Sequence, residues 1–276
     1  MPTPIVCTPK SLPESRQIAA ARKAIAINPA NHPGRMVAAH MLATGPGGPA
    51  RLALVVGRRW PASGVRLTVK FLDKPPKDLR ARILLHMNAW GTKANVQFTE
   101  TSGTAKVRLA RLDSPPEMSG YWSYVGTEIL EIPAGEPTIN LEGFTMKTPE
   151  SEFHRVVRHE AGHTIGFPHE HMRRDLVKLI DPDKAIAFFG KTQGWTPQEV
   201  RDQVLTPIEE SSLLGTAHSD PHSIMCYQIP GSITRSGKPI IGGTDIDKTD
   251  FAFAASVYPK QVHAPGRKKT VSKRKR

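Results

Sequence analysis

Only two cysteines occur in 276 residues, Cys7 and Cys226, so a disulfide-stapled scaffold is excluded and a bridge between the two is not expected. Long apolar runs are also missing. No stretch approaches the roughly 18 to 20 residues needed to cross a bilayer, so no membrane span is expected. The first residues, Met1-Pro2-Thr3-Pro4-Ile5-Val6-Cys7, have neither a basic start nor a sustained apolar region, which gives no support to a standard secretory signal; a cytoplasmic or non-classically exported protein is the expectation. No internal repeat is visible. Acidic residues are few beside basic ones, 25 against 38, for a net charge of +13. Seven basic residues crowd into the last ten positions: Arg267, Lys268, Lys269, Lys273, Arg274, Lys275 and Arg276. About half of the excess charge is therefore a tail, suited to nonspecific contact with polyanions by counterion release. No nucleic-acid-binding motif accompanies it.

What is present is concentrated in one segment, His159-Glu160-Ala161-Gly162-His163-Thr164-Ile165-Gly166-Phe167-Pro168-His169. Residues four apart share a helix face, so His159 and His163 can direct two imidazoles at one ion while Glu160 faces the water beside it. Gly166 lets the backbone leave the helix through a left-handed turn, and His169 can return as a third ligand. Three protein nitrogens leave the fourth position of a tetrahedral zinc open, the arrangement of a catalytic site. His154, His171, His218 and His222 read as surface or supporting residues.

Downstream, Ser223-Ile224-Met225-Cys226-Tyr227 resembles the Met-turn of metzincins, in which Met225 would form a polarizable floor under the metal. With Tyr227 two residues after Met225, and Gly166-Phe167-Pro168-His169-Glu170 after the helix, the chain resembles the astacin family of metalloendopeptidases, bacterial type. Gly120 to Gly126 and Pro137 to Leu141 are similar to the segments that precede the zinc helix there, where one edge strand receives the substrate. The resemblance covers about residues 60 to 260. It implies one catalytic zinc on His159, His163 and His169, Glu160 as general base and proton carrier, Tyr227 on the oxyanion, and a polypeptide substrate. Glu170 resembles the glutamate that anchors the mature N-terminus in that family.

Departures accompany the likeness. Cys226 stands where the family commonly has histidine. No Phe-x-Gly-Asp segment precedes the domain, so an aspartate-based latency does not carry over. Cys7 lies in what reads as a loose N-terminal segment, and Ile5-Val6-Cys7-Thr8-Pro9 does not match the cysteine motif that blocks zinc in matrix metalloproteases.

The expected fold is α+β and metzincin-like: a twisted N-terminal sheet, an active-site helix and an irregular C-terminal subdomain around a zinc cleft. Residues 1–50 read as an arm or pro-like segment, 51–260 as the peptidase domain, and 261–276 as a basic disordered tail. Patterning predicts helices from Arg16 to Ile27, Lys77 to Trp90 and Glu150 into the zinc motif. Further short helices are expected from Asp183 to Phe189 and Pro197 to Val204, with a last helix capped by Thr244 and reaching Tyr258. Strands are expected at Val65 to Phe71, Asn95 to Thr99 and Lys106 to Leu112. Two other readings compete. One is a protease-like binding module that holds an acidic partner through the cleft and tail, against which the retained Glu160 argues. The other is an aminopeptidase whose third ligand is a later glutamate, against which Gly166 and His169 argue. Oligomeric state is not legible.

Overall fold

The computed structural model describes residue 7 and residues 10–32, 57–207 and 219–260. The basic tail and His218 lie outside the described residues, as does most of the expected linker between arm and domain.

Five strands form one sheet in the order β2-β1-β3-β5-β4. They are β1 (Val65–Phe71), β2 (Val96–Glu100), β3 (Val107–Ala110), β4 (Tyr121–Ser123) and β5 (Ile139–Leu141). The first four neighbours in that order run parallel, and β4 alone is antiparallel, pairing Tyr121 with Leu141 and Ser123 with Ile139. β1 alternates buried and exposed residues along its length, so Val65, Leu67, Val69 and Phe71 feed one face. Central β3 is buried at every position.

Helix α1 (Glu14–Ile27) belongs to the N-terminal arm and α2 (Lys77–Met87) joins β1 to β2. The predicted run to Trp90 stops at Met87 because the chain tightens into a 3₁₀ turn, Asn88–Thr92. The amide of Asn88 caps Leu84 and reaches Phe98. Helix α3 is three abutting stretches, Glu150–Glu152, a π-helical turn Phe153–Val157, and Arg158–Thr164. The π turn has no counterpart in the sequence pattern; it adds a residue to the helix just before His159 and so re-aims the ligand-bearing turns. Helix α4 (Pro182–Gln193) starts on the Asp181 side chain and ends at left-handed Gly194. Helix α5 (Lys248–Val257) corrects one expectation. Its cap is Asp247, in a reciprocal capping box with Asp250, and not Thr244.

Two main cores result. One packs the sheet against α2 and α3, with Trp90, Phe144, Phe153 and Val157 in it together with Ile224 and Met225. The other gathers Leu176, Ile180, Phe189, Val200, Val204, Ile229 and Ile240 in the irregular half, and includes Cys7, Cys226 and Tyr227. The Met-turn thus crosses from one core to the other within two residues.

Asp250 fixes where it crosses. Its carboxylate accepts from the Ser223 hydroxyl at 2.6 Å, the Ile224 amide at 3.0 Å and the Asp247 amide at 3.1 Å. Burial pushes its pKa up to about 6. A side-chain amide at this position has one acceptor oxygen and must turn its NH2 toward either the Ser223 hydroxyl or the two backbone amides. Asp250→Asn should therefore destabilise the fold by about 1–3 kcal/mol, the cost of buried donors left unpaired, seen as a lower denaturation midpoint with unchanged denaturant slope.

Candidate metal centre

Helix α3 brings His159, Glu160 and His163 into the interior, where all three are buried. The helix closes at Thr164, and Gly166, at φ +102°, turns the chain through backbone space that a β-carbon would enter only 3.0 Å from the Arg58 carbonyl. The exit is clamped from both sides. The Trp60 indole donates to the Thr164 carbonyl at 3.0 Å and the Tyr258 hydroxyl to that of Ile165 at 2.6 Å. After the turn, the Glu170 amide donates to the Met225 carbonyl at 2.8 Å, which ties the segment holding His169 to the Met-turn.

The three imidazoles converge. Nε2 of His169 lies 3.1 Å from Nε2 of His159 and 3.0 Å from Nε2 of His163. The other ring nitrogens are already engaged: His159 Nδ1 donates to the Ile224 carbonyl at 2.6 Å and His163 Nδ1 to that of Phe167 at 2.7 Å. Those bonds fix the tautomer and leave both Nε2 atoms as lone-pair acceptors. At most one of the two contacts with His169 can then be N–H···N. A cation between the three nitrogens satisfies all of them, and burial holds each ring neutral: the pKa of His159 falls to about 4, and those of His163 and His169 drop well below the ordinary value. Tetrahedral zinc with Zn–N of about 2.0–2.1 Å sets ligand nitrogens about 3.3 Å apart, close to the spacing found, so the donor set fits that ion.

Met225 underlies this group. A β-carbon on Gly162 would sit 2.5 Å from Met225 Sδ and 3.1 Å from the Trp90 ring, so glycine is what lets the floor approach the helix. Tyr227 is buried, with its ring centroid 4.3 Å from that of His169. It stacks on His171 at 3.9 Å and 17°. His171 is fully buried, its Nε2 donating to the Gln203 carbonyl at 3.0 Å, so it is an interior support for Tyr227 and not a surface residue. Nothing in its local pattern signalled this, because the stacking partner comes from the distant Met-turn.

Glu160 is fully buried with the Cys7 thiol as its polar neighbour, and burial raises its pKa to about 8. Glu170 accepts from the Asp220 amide at 3.0 Å and pairs with Arg173 at 3.4 Å. His154 is half-buried and bonded to Asp245 at 2.8 Å, while His222 is exposed.

The largest departure from expectation is Cys7. It is 4% exposed, and its ligand atom and those of His159, His163 and His169 all lie within 4.8 Å of one another. Its carbonyl accepts from the Tyr227 hydroxyl. A second cluster, His86, Glu150 and His154, is answered by cationic arginines instead: Arg158 contacts both histidines, and Arg82 pairs with Glu150 at 2.6 Å.

A family model described as Astacin, a peptidase family, matches residues 55–230. The zinc metalloproteinase nas-27 of Caenorhabditis elegans is 31% identical over 108 residues, which are 39% of this chain and 22% of that protein, so the match spans about a fifth of the relative's length. A structure of myroilysin superposes with a TM-score of 0.68 at 29% identity, covering 74% of this chain and 97% of that one. A second myroilysin crystal structure gives 0.55 at 28% identity, over 74% and 86%. Cys7 and α1 precede the residues that the family model matches.

If the three nitrogens hold the ion together, His159→Ala, His163→Ala and His169→Ala should each lose most of the roughly one equivalent of zinc that the wild-type protein carries. Metal analysis after dialysis against a weak chelator measures this, and full zinc retention in all three variants would reject the ligand assignment.

Proposed function

The chain belongs to the astacin family of peptidases, and on that premise we propose that it is a zinc-dependent endopeptidase that hydrolyses peptide bonds in polypeptides. The convergence of three buried imidazole nitrogens beside the buried carboxyl of Glu160 is the observation that carries this reading. Zinc, when bound, acidifies a water and polarises the scissile carbonyl.

The chain's own residues do the rest. Glu160 takes the proton of the attacking water and delivers it to the leaving amine. The Tyr227 hydroxyl, held over His169 by its stack on His171, donates to the developing oxyanion once it is free of the Cys7 carbonyl. Strand β4 ends the sheet, and an extended substrate adds to its outer side by main-chain hydrogen bonds. The tail of 261–276 adds nonspecific attraction for polyanions and takes no part in the chemistry.

The competing reading, a binding module for an acidic partner, leaves the buried Glu160 without a purpose, since holding a ligand requires no general base.

Two variants test the assignment, in the wild-type chain and in a Cys7→Ala background. Glu160→Gln should keep zinc and fold while cleavage of a diverse peptide library, mapped by mass spectrometry, falls by orders of magnitude. Absence of cleavage by both the wild-type and Cys7→Ala proteins at full zinc content would contradict the peptidase reading. Tyr227→Phe should lower kcat and kcat/KM together by about 10²–10³, the cost of one oxyanion donor, with KM and zinc content nearly unchanged. A tyrosine that only fills the core would lower the melting temperature and leave kcat of the folded fraction intact.

A further inference from the structure

We propose that the groove where β1 and β2 begin is a binding site for a sulfated polysaccharide. Strand β2 is the edge of the sheet opposite β4, and the groove shares no residue with the cavity at the metal centre, so the inference does not rest on the peptidase reading.

The groove holds about 590 Å³, and Ser63, Arg66, Asn88, Asn95, Gln97 and Lys260 supply its polar lining. That volume lies in the ordinary range of ligand sites. No carboxylate lines it. Arg66 is held there by neutral partners alone: its guanidinium donates to the carbonyls of Val65 at 3.0 Å and Asn95 at 3.2 Å, and to Asn95 Oδ1 at 2.6 Å. Asn95 is itself fixed. Its Nδ2 donates to the Ser63 carbonyl at 2.8 Å, and it packs so closely on Gly64, at φ +126°, that a β-carbon there would lie 2.4 Å from that nitrogen. Lys260 donates to the Thr92 carbonyl at 3.0 Å. Neither cation joins any ion pair among the described residues. A guanidinium carries five donors and an ammonium three, so both keep hydrogens for a ligand. Two like charges in one groove repel, and an entering anion relieves that repulsion.

The positive charge continues beyond the groove. Arg66 and Gln97 are register partners, and the exposed face of β1 runs on through Thr68 to Lys70, beside exposed Thr99 of β2. Glu100, which ends β2, pairs with Arg80 of α2 at 2.6 Å and so does not neutralise this face. At the other rim the chain leads from Lys260 into the segment that ends with seven basic residues in ten positions. A long anion can engage the groove and that segment together, and the second contact is then intramolecular.

The lining selects among anions. No aromatic side chain lines the groove, so the bases of single-stranded nucleic acid find no surface on which to stack. A duplex presents its phosphates on a wide convex surface, which a groove of this size does not admit. The exposed apolar residues Leu85, Met146, Leu179 and Ile241 are not among the lining, so no apolar rim is offered to lipid. A single flexible chain bearing sulfates meets what is present, two charged donors with amides and a hydroxyl between them.

Calorimetric titration of the full chain with a heparin-derived octasaccharide at near-physiological salt tests the site. Arg66→Ala and Gln97→Glu should each weaken binding by about tenfold or more, the scale of one lost hydrogen bond to a charged group. Gln97 is exposed, so its replacement sets a carboxylate opposite Arg66 without disturbing the core. The double variant Lys147→Gln/Lys191→Gln removes two exposed charges elsewhere and should weaken binding by less than about threefold. Peptide cleavage should be the same in all of them, and the desulfated octasaccharide should bind far more weakly than the sulfated one. Unchanged affinity in Gln97→Glu overturns the proposal, however Arg66→Ala folds, and so does equal weakening by the distant double variant, which would reduce the effect to net charge. Tighter binding of an oligothymidylate of equal charge would assign the groove to nucleic acid and overturn the polysaccharide.

Discussion

Three imidazole Nε2 atoms aimed at one buried point are the constraint around which this structure is arranged. In a medium of low polarity such acceptors repel one another unless a cation lies between them, and burial already keeps the rings neutral and ready to ligate. Each neighbouring feature serves that convergence. The carbonyls of Ile224 and Phe167 fix the ring tautomers, Gly166 supplies the turn that returns His169, and Trp60 and Tyr258 hold the carbonyls at the end of α3. The π turn ahead of His159 belongs to the same set, since one added residue rotates every later position on the helix by about 100°.

The second constraint is mechanical. The Met-turn places Ile224 and Met225 in the core under the sheet and Cys226 and Tyr227 in the core of the irregular half. It is tied to α5 through Asp250 and to the third ligand's loop through the Glu170 amide. A cleft formed between two separately packed bodies would drift by more than catalysis tolerates; stitching both to one turn holds Glu160 and Tyr227, which come from opposite sides, in register with the histidines. Glycine at 162 belongs to this account, because a single methyl there would push Met225 away from the helix.

Much of this was legible in the residues. The metal segment announces itself because ligand spacing follows helix geometry, and β1, α1 and the start of α3 fall within two residues of their patterns. What escaped depends on contacts between distant positions. Thr244 looks like a cap, yet Asp247 wins because Asp250 three residues later can answer it. His171 reads as either a surface or a supporting histidine, and only the distant Met-turn decides between them by stacking Tyr227 on it. Cys7 sits in a Pro-rich stretch with no periodicity and no recognised motif around it. Its place at the centre is set by the arm's contacts with Glu117, Ile132 and Arg59, none of which a local window contains.

Anomalous diffraction at the zinc absorption edge from crystals of the full chain tests the central claim most directly. The account predicts a single strong peak among Nε2 of His159, His163 and His169, at about 2.0–2.1 Å from each nitrogen. A peak at His86 and His154 in its place, or none from crystals grown with zinc, would contradict it.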